Sequence, residues 1–185
     1  GQMPGYVVVA AGTIAMLSTR FFYDPQQQIV FSLAVITAGS YLGFLFWNMY
    51  PQKIISGFGA STIAGFILAV LAILSGAKLA TAILVLGIPM FDALFVVVRR
   101  ILHKKSPLRG DRSHLHHALL DAGFSKRQVA FLYWGSAAVL GSLSLLLSSE
   151  QKAFTILLVA VVLCMILVWL HFFITHFGKS GHGNG

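Results

Sequence analysis

Long apolar runs broken by polar segments set the pattern of this chain. A hydrocarbon core about 30 Å thick takes roughly 20 apolar residues as a helix. Six stretches approach that length: residues 6–22, 29–47, 59–75, 79–98, 128–147 and 153–177. The breaks between them are short except for residues 99–127. The pattern predicts an all-α fold, a polytopic transmembrane helical bundle of about six spans over residues 1–177 that carries the 99–127 loop. Residues 178–185 are polar and glycine-rich and read as a disordered tail. Gly39, Ser40, Gly43, Ser61, Gly65, Gly135 and Ser136 lie inside the runs, where small side chains let helices approach closely in lipid; Gly39 and Gly43 have GxxxG spacing. Trp47, Trp134 and Trp169 fall near run ends and read as interface anchors.

Composition strengthens the membrane assignment. Hydrophobic residues make up 57% and charged residues 10% of the 185, with a mean hydropathy of +0.84. Ordinary soluble domains hold about 45–50% and about 25%, so a soluble globule and a disordered chain are both excluded. The net charge of +8 would raise nucleic-acid binding in a soluble protein. Here eight of the 13 basic residues sit in 99–127, and topology accounts for them without nucleic acid. Placing that loop in the cytoplasm also places the N-terminus, Lys53 and Lys179 inside. Ten basic residues are then inside, and Arg20, Lys78 and Lys152 are outside. The lone Cys164 cannot form an internal disulfide. A start without Met or a basic leader reads as a fragment or a trimmed chain.

The basic loop holds the densest chemistry: Ser106-Pro-Leu-Arg-Gly-Asp-Arg-Ser-His-Leu-His-His117. His114 and His117 are spaced i, i+3, on one face of a short helix that Ser113 could cap. Arg112 with His114, His116 and His117 supplies donors for phosphate oxygens. An H-x-H-H cluster also raises zinc, but no cysteine or second histidine pair completes a tetrahedral set. Asp92 lies inside the fourth run, where an ionisable group is a candidate for catalysis or a structural hydrogen-bonding residue. Pro89, in the same run, predicts a kink. Asn48 and Lys53 flank Pro51 at a helix end, where a cap and a snorkelling lysine are the plain alternatives to substrate binding.

Residues 106–128 resemble the cytoplasmic signature of the polyprenyl-phosphate N-acetylhexosamine-1-phosphate transferases. The nearest branch is the undecaprenyl-phosphate N-acetylglucosamine-1-phosphate transferases, relatives of phospho-N-acetylmuramoyl-pentapeptide transferase. Gly43-Phe-Leu-Phe-Trp-Asn-Met-Tyr-Pro-Gln-Lys53 and Gly87-Ile-Pro-Met-Phe-Asp92 agree in order and spacing. The resemblance implies a bacterial inner-membrane protein whose partners are the bilayer, polyprenyl phosphate and a UDP-N-acetylhexosamine. The implied reaction moves sugar 1-phosphate to the lipid phosphate, releases UMP and uses Mg²⁺ or Mn²⁺. It further implies that Arg112, His114, His116 and His117 hold nucleotide phosphates and that Asn48, with Lys53 nearby, contacts the nucleoside part.

The chain departs from this pattern at its acidic positions. Phe58 stands where the resemblance places a metal-binding Asp, and phenylalanine cannot ligate a hard cation. The carboxylates expected near the N-terminus fall on Pro4 and Val7, and the Asp-Asp pair expected further upstream is absent. Transferase chemistry therefore points to a missing N-terminal half or to a homodimer that completes the site. The alternative is a non-catalytic homologue acting in binding or assembly. A transporter fits poorly, because Asp92 is the only acidic group within a run.

Overall fold

The computed structural model describes residues 2–75, 79–102, 104, 106 and 114–177, with the side chains at 149, 167 and 170–177 left aside. The described elements are all helices: α1 (Gln2–Thr19), α2 (Pro25–Asn48), α3 (Phe58–Leu74), α4 (Leu79–Val85), α5 (Gly87–Leu102), α6 (Leu115–Asp121), α7 (Lys126–Leu146) and α8 (Ser149–Phe177). The tail 178–185 and Arg112 lie outside the described residues.

Local sequence explains where the helices start. Asp24 caps α2 by accepting the Gln26 N–H at 2.9 Å, and Pro25 occupies the first turn, where a missing N–H costs nothing. Ser125 and Gln128 form a reciprocal capping box at the start of α7. Between α6 and α7 the chain reverses through Gly123, whose φ of +94° a side chain would disfavour.

The six predicted runs each coincide with a helix or, for the fourth, with the pair α4 and α5 bent by 75°. The break falls just before Pro89, which has no N–H to donate to the Val85 carbonyl and whose ring crowds it. Bonds from Leu86 N–H to Ala82 O (2.9 Å) and from Met90 N–H to Leu86 O (3.0 Å) keep the helix on either side. Among the described residues, α2 and α7 are long and apolar enough to cross a membrane, and the bent pair makes a third. α3 is a shorter apolar helix of 17 residues. α1 carries Gln2, Thr13, Ser18 and Thr19 among its 18 residues, so its polarity lowers its standing as a span by composition. Two of them are accommodated inside: the Thr13 and Ser18 hydroxyls donate to the Val9 and Ile14 carbonyls.

α1 is the centre of the bundle. Tyr6, Val7, Ala10, Ala11 and Ile14 pack against Val30 and Ala34 of α2, Leu68 and Leu71 of α3, and Val129, Tyr133 and Ala137 of α7. Beyond this core the surface is apolar, with Ile36, Phe46, Phe66, Ile73, Leu94, Val139, Leu157 and Val168 all exposed. Such a surface suits lipid contact, so the chain is a membrane protein.

One expectation about small residues is corrected. A Cβ at Gly39, Gly43, Gly65 or Gly135 would meet nothing within 4 Å, so the GxxxG pair makes no helix contact in this chain. Close approach occurs at Gly5, against Trp134, and at Gly141, against Thr13. Trp134 packs inward: its indole is partly buried on α1 and donates to Gln2 O at 3.1 Å.

Helix ends sort onto two sides. Gln26 reaches Leu74 O (2.9 Å), Arg20 reaches Leu145 O, and Lys152 reaches Thr81 (3.1 Å) at one end. At the other end, the N-terminus of α1, the 49–57 segment, α6 and the start of α7 come together.

Candidate functional site

The second of these ends encloses a cavity of about 300 Å³. Its wall is built from Gln2 and Met3 of α1, Asn48 at the end of α2, Tyr50, Gln52 and Ser56, His116 of α6, and Lys126, Arg127 and Trp134 of α7. The three segments that the basic-residue count grouped on one side therefore meet at one site. Among the described residues no lining side chain is acidic, and two cations and an imidazole line it. Such a cavity attracts anions.

Packing and hydrogen bonds fix the wall. Asn48 is 2% exposed, and its Nδ2 donates to Ile54 O at 2.8 Å, which folds the 49–54 segment back onto α2. Arg127 Nε donates to Tyr50 O at 2.9 Å, and the Lys126 ammonium lies 5.1 Å from the Tyr50 ring centre. These bonds tie the segment to α7. Asn48 thus serves structure at a position that also lines the cavity.

The candidates from sequence divide in place. Asn48 and His116 line the cavity. Lys53 does not: it is exposed, with its ammonium 5.3 Å from the Trp47 ring centre. His117 packs against His116, ring centres 4.2 Å apart. The predicted cap and histidine face are corrected. α6 begins at Leu115, with His114 in the cap position and no side-chain cap bond of its own. Because His114 is extended (φ −66°, ψ 146°), it cannot share a helical face with His117 and instead stacks on His116 at 5.6 Å.

Asp92 supplies the missing cap. It is 5% exposed, its Oδ1 accepts the Leu115 N–H at 2.8 Å, and its Oδ2 lies 3.1 Å from His114 Nδ1. His116 is half-buried above this pair. Burial pushes its imidazole below the usual histidine range; His117 and His114 add to the shift, and Asp92 opposes it.

Lys126, Arg127 and Gln52 are the site residues that sequence reasoning missed. The signal was available in part, since Lys126 and Arg127 close the same basic loop and open a capped helix. Their pairing with Tyr50, 77 positions from Arg127, needed the tertiary fold.

The residues do not fit the divalent metal that the resemblance implies. Phe58 opens α3 at 89% exposure, and among the described residues no three His, Cys, Asp or Glu side chains converge as a metal would require.

Comparison with known proteins supplies a family and relatives. The family model described as glycosyl transferase family 4 matches residues 1–76. A probable undecaprenyl-phosphate N-acetylglucosaminyl 1-phosphate transferase of Bacillus subtilis is 34% identical over 161 residues, covering 80% of this chain and 44% of that protein. A decaprenyl-phosphate N-acetylglucosaminephosphotransferase of Mycobacterium leprae is 30% identical, covering 88% and 47%. A phospho-N-acetylmuramoyl-pentapeptide-transferase of Borrelia duttonii is 31% identical over 109 residues, covering 58% and 30%. No solved structure matches. The chain spans less than half the length of these curated relatives. With its helical membrane bundle and these matches, the chain belongs to glycosyl transferase family 4.

Proposed function

We propose that these residues form the nucleotide-diphosphate-binding part of a polyprenyl-phosphate N-acetylhexosamine-1-phosphate transferase of the bacterial inner membrane. The observation that carries this reading is the cavity where Asn48, His116, Lys126 and Arg127 meet. Donors so placed suit the two phosphates of a UDP-sugar, while the lining amides of Gln2, Gln52 and Asn48 suit a pyrimidine or ribose edge. In the full reaction the lipid phosphate attacks the sugar-bearing phosphorus in line and UMP leaves. Mg²⁺ or Mn²⁺ would neutralise that charge, but Phe58 gives it no ligand here. The chain's own part is to bind and orient the nucleotide; carboxylates from polypeptide outside these 185 residues would supply the metal site. The basic-loop end faces the cytoplasm, by the charge asymmetry.

Titration of UDP into the detergent-solubilised chain tests this. Charge-assisted hydrogen bonds contribute roughly 1.5–3 kcal/mol each at best, so two or three place Kd near the millimolar range. His116→Ala and Lys126→Ala should each weaken binding several-fold, and Ser40→Ala, on the outer face of α2, should not. Equal binding by wild type and the His116→Ala/Lys126→Ala double variant, or no binding by either, overturns the reading. Orientation is checked separately in a Cys164→Ser background: an impermeant thiol reagent on intact cells should label Ser149→Cys and spare Ser106→Cys.

A further inference from the structure

Asp92 lies within the run where an acidic group first suggests catalysis, yet in the structure both of its carboxylate oxygens have partners. One oxygen accepts the Leu115 N–H at 2.8 Å and the other faces His114 Nδ1 at 3.1 Å. The side chain is enclosed and does not line the cavity. α6 has a first turn whose own cap residue, His114, makes no side-chain bond to the helix backbone, and a helix start without a partner leaves backbone donors unsatisfied. Asp92 meets that need from α5, across 23 positions of sequence.

We infer that Asp92 is a positioning residue: from α5 it caps α6 and holds His114, and by fixing that helix start it sets His116 in the cavity wall. The bend before α5 is part of the device. It turns Asp92, with buried Gly87 and Val96 on the same helix, toward the segment that α6 occupies. A carboxylate offers only acceptors, so the proton between the pair sits on His114 Nδ1 and leaves Nε2 as the other ring position. The consequence for nucleotide binding rests on the reading of the cavity given above; the cap itself does not.

The experiment compares wild type, Asp92→Asn and Asp92→Ala in detergent by amide hydrogen exchange, ¹⁵N imidazole spectra and UDP titration. In wild type the Leu115 amide should be protected and His114 should carry its proton on Nδ1. Asparagine still accepts from Leu115 through its carbonyl oxygen but offers an N–H to His114. Asp92→Asn should therefore keep the protection, move the His114 proton to Nε2, and bind UDP within about threefold of wild type. Asp92→Ala loses the cap, so Leu115 exchange should speed by about tenfold or more and UDP binding should weaken by a similar factor. Unchanged exchange and tautomer in Asp92→Ala overturn the inference. So does loss of UDP binding in Asp92→Asn with Leu115 still protected, because the carboxylate would then act on the ligand itself. If Asp92→Ala does not fold, the Asp92→Asn tautomer shift alone decides. If wild type does not bind UDP while the exchange and tautomer results hold, the nucleotide reading fails and the cap stands.

Discussion

α1 and α2 are neighbouring apolar helices that the sequence pattern treats alike, but the fold uses them in opposite ways. Eleven of the 18 residues of α1 are buried, against five of the 24 of α2. The buried positions of α2 run Gln27, Val30, Ala34, Thr37, a single i, i+3, i+4 stripe, and the remaining faces carry Ile29, Leu33, Ile36, Leu42 and Phe46 outward. The two helices hold similar shares of aliphatic residues; what separates them is size, with Gly, Ala, Ser and Thr filling eight of the 18 positions of α1 against seven of the 24 of α2, and with Phe31, Tyr41, Phe44, Phe46 and Trp47 all on α2. In lipid a leucine gains little by moving inward, so packing and hydrogen bonding, rather than hydrophobicity, decide which helix is central. The inner helix also builds the site: Gln2 and Met3 of α1 and Trp134 of α7 share one wall.

The sharpest way to break this contrast is at Gly5. A Cβ there would lie 2.1 Å from Trp134 Cε2 and 2.2 Å from Nε1, contacts that only displacement of the indole relieves. Gly5→Ala should destabilise the bundle by about 3 kcal/mol, through overpacking and loss of the Trp134–Gln2 hydrogen bond. Thermal unfolding in detergent measures it, and UDP binding should fall with it because the wall moves. An unchanged unfolding temperature would show that α1 and α7 are not in close contact.

Gly141 gives the second test, on the same seam but away from the cavity. Its added Cβ would lie 2.6 Å from Thr13 Oγ1 and 3.3 Å from Thr13 Cγ2 and Val85 Cγ2. The expected cost is about 2 kcal/mol. Thr13→Ala in the same chain removes the obstacle and should recover most of it, a coupling that a double-mutant cycle reads directly. Additive losses would mean that the two residues do not meet.

The two helices also show how far the sequence could be read. Six helical runs, the convergence of three segments at one end, and the kink before Pro89 were all legible, because hydrophobic length, charge asymmetry and a missing N–H are local signals. The tight contacts were not: GxxxG spacing marked Gly39 and Gly43, while the fold uses Gly5 and Gly141, and spacing alone does not say what faces a glycine. The site followed the same rule. Asn48 and His116 were found from motif and loop, and they do border the cavity. His114 was placed on the wrong face because its cap came from Asp92, 22 positions earlier, which no local pattern announces.

A smaller effect is expected from pH at the same wall. His116 is held below the ordinary imidazole value of 6.5 in the folded chain, chiefly by burial. Its neutral form is therefore favoured by folding. That contribution is intact above pH 6.5 and is lost as pH falls through the lower folded value, so the ligand-free bundle should become less stable toward acid. A bound diphosphate reverses the preference, because its negative charge favours the imidazolium. UDP affinity should then rise below pH 6.5, in the direction opposite to stability. The gain should be no more than about tenfold, roughly one charge-assisted hydrogen bond. His116→Gln should flatten both profiles; a UDP profile that survives this change would assign the titration to another group.

The least disturbance is expected on the outer face of α2, where the peripheral half of the comparison can fail. Gly39 and Gly43 lie in the middle of a 24-residue helix with nothing within 4 Å of an added Cβ. Glycine within a helix costs about 0.5–1 kcal/mol relative to alanine through backbone entropy. With no neighbour to collide with, Gly39→Ala and Gly43→Ala should each leave the bundle as stable or raise its stability by up to that amount. Unfolding measurements on the single variants and the pair should therefore give a small additive gain, in contrast to the losses at Gly5 and Gly141. A loss at either position would mean that a helix from elsewhere rests on this face in the folded protein. α2 would then be an inner helix whose partner lies outside the described residues, and its large outward side chains would no longer report contact with lipid alone.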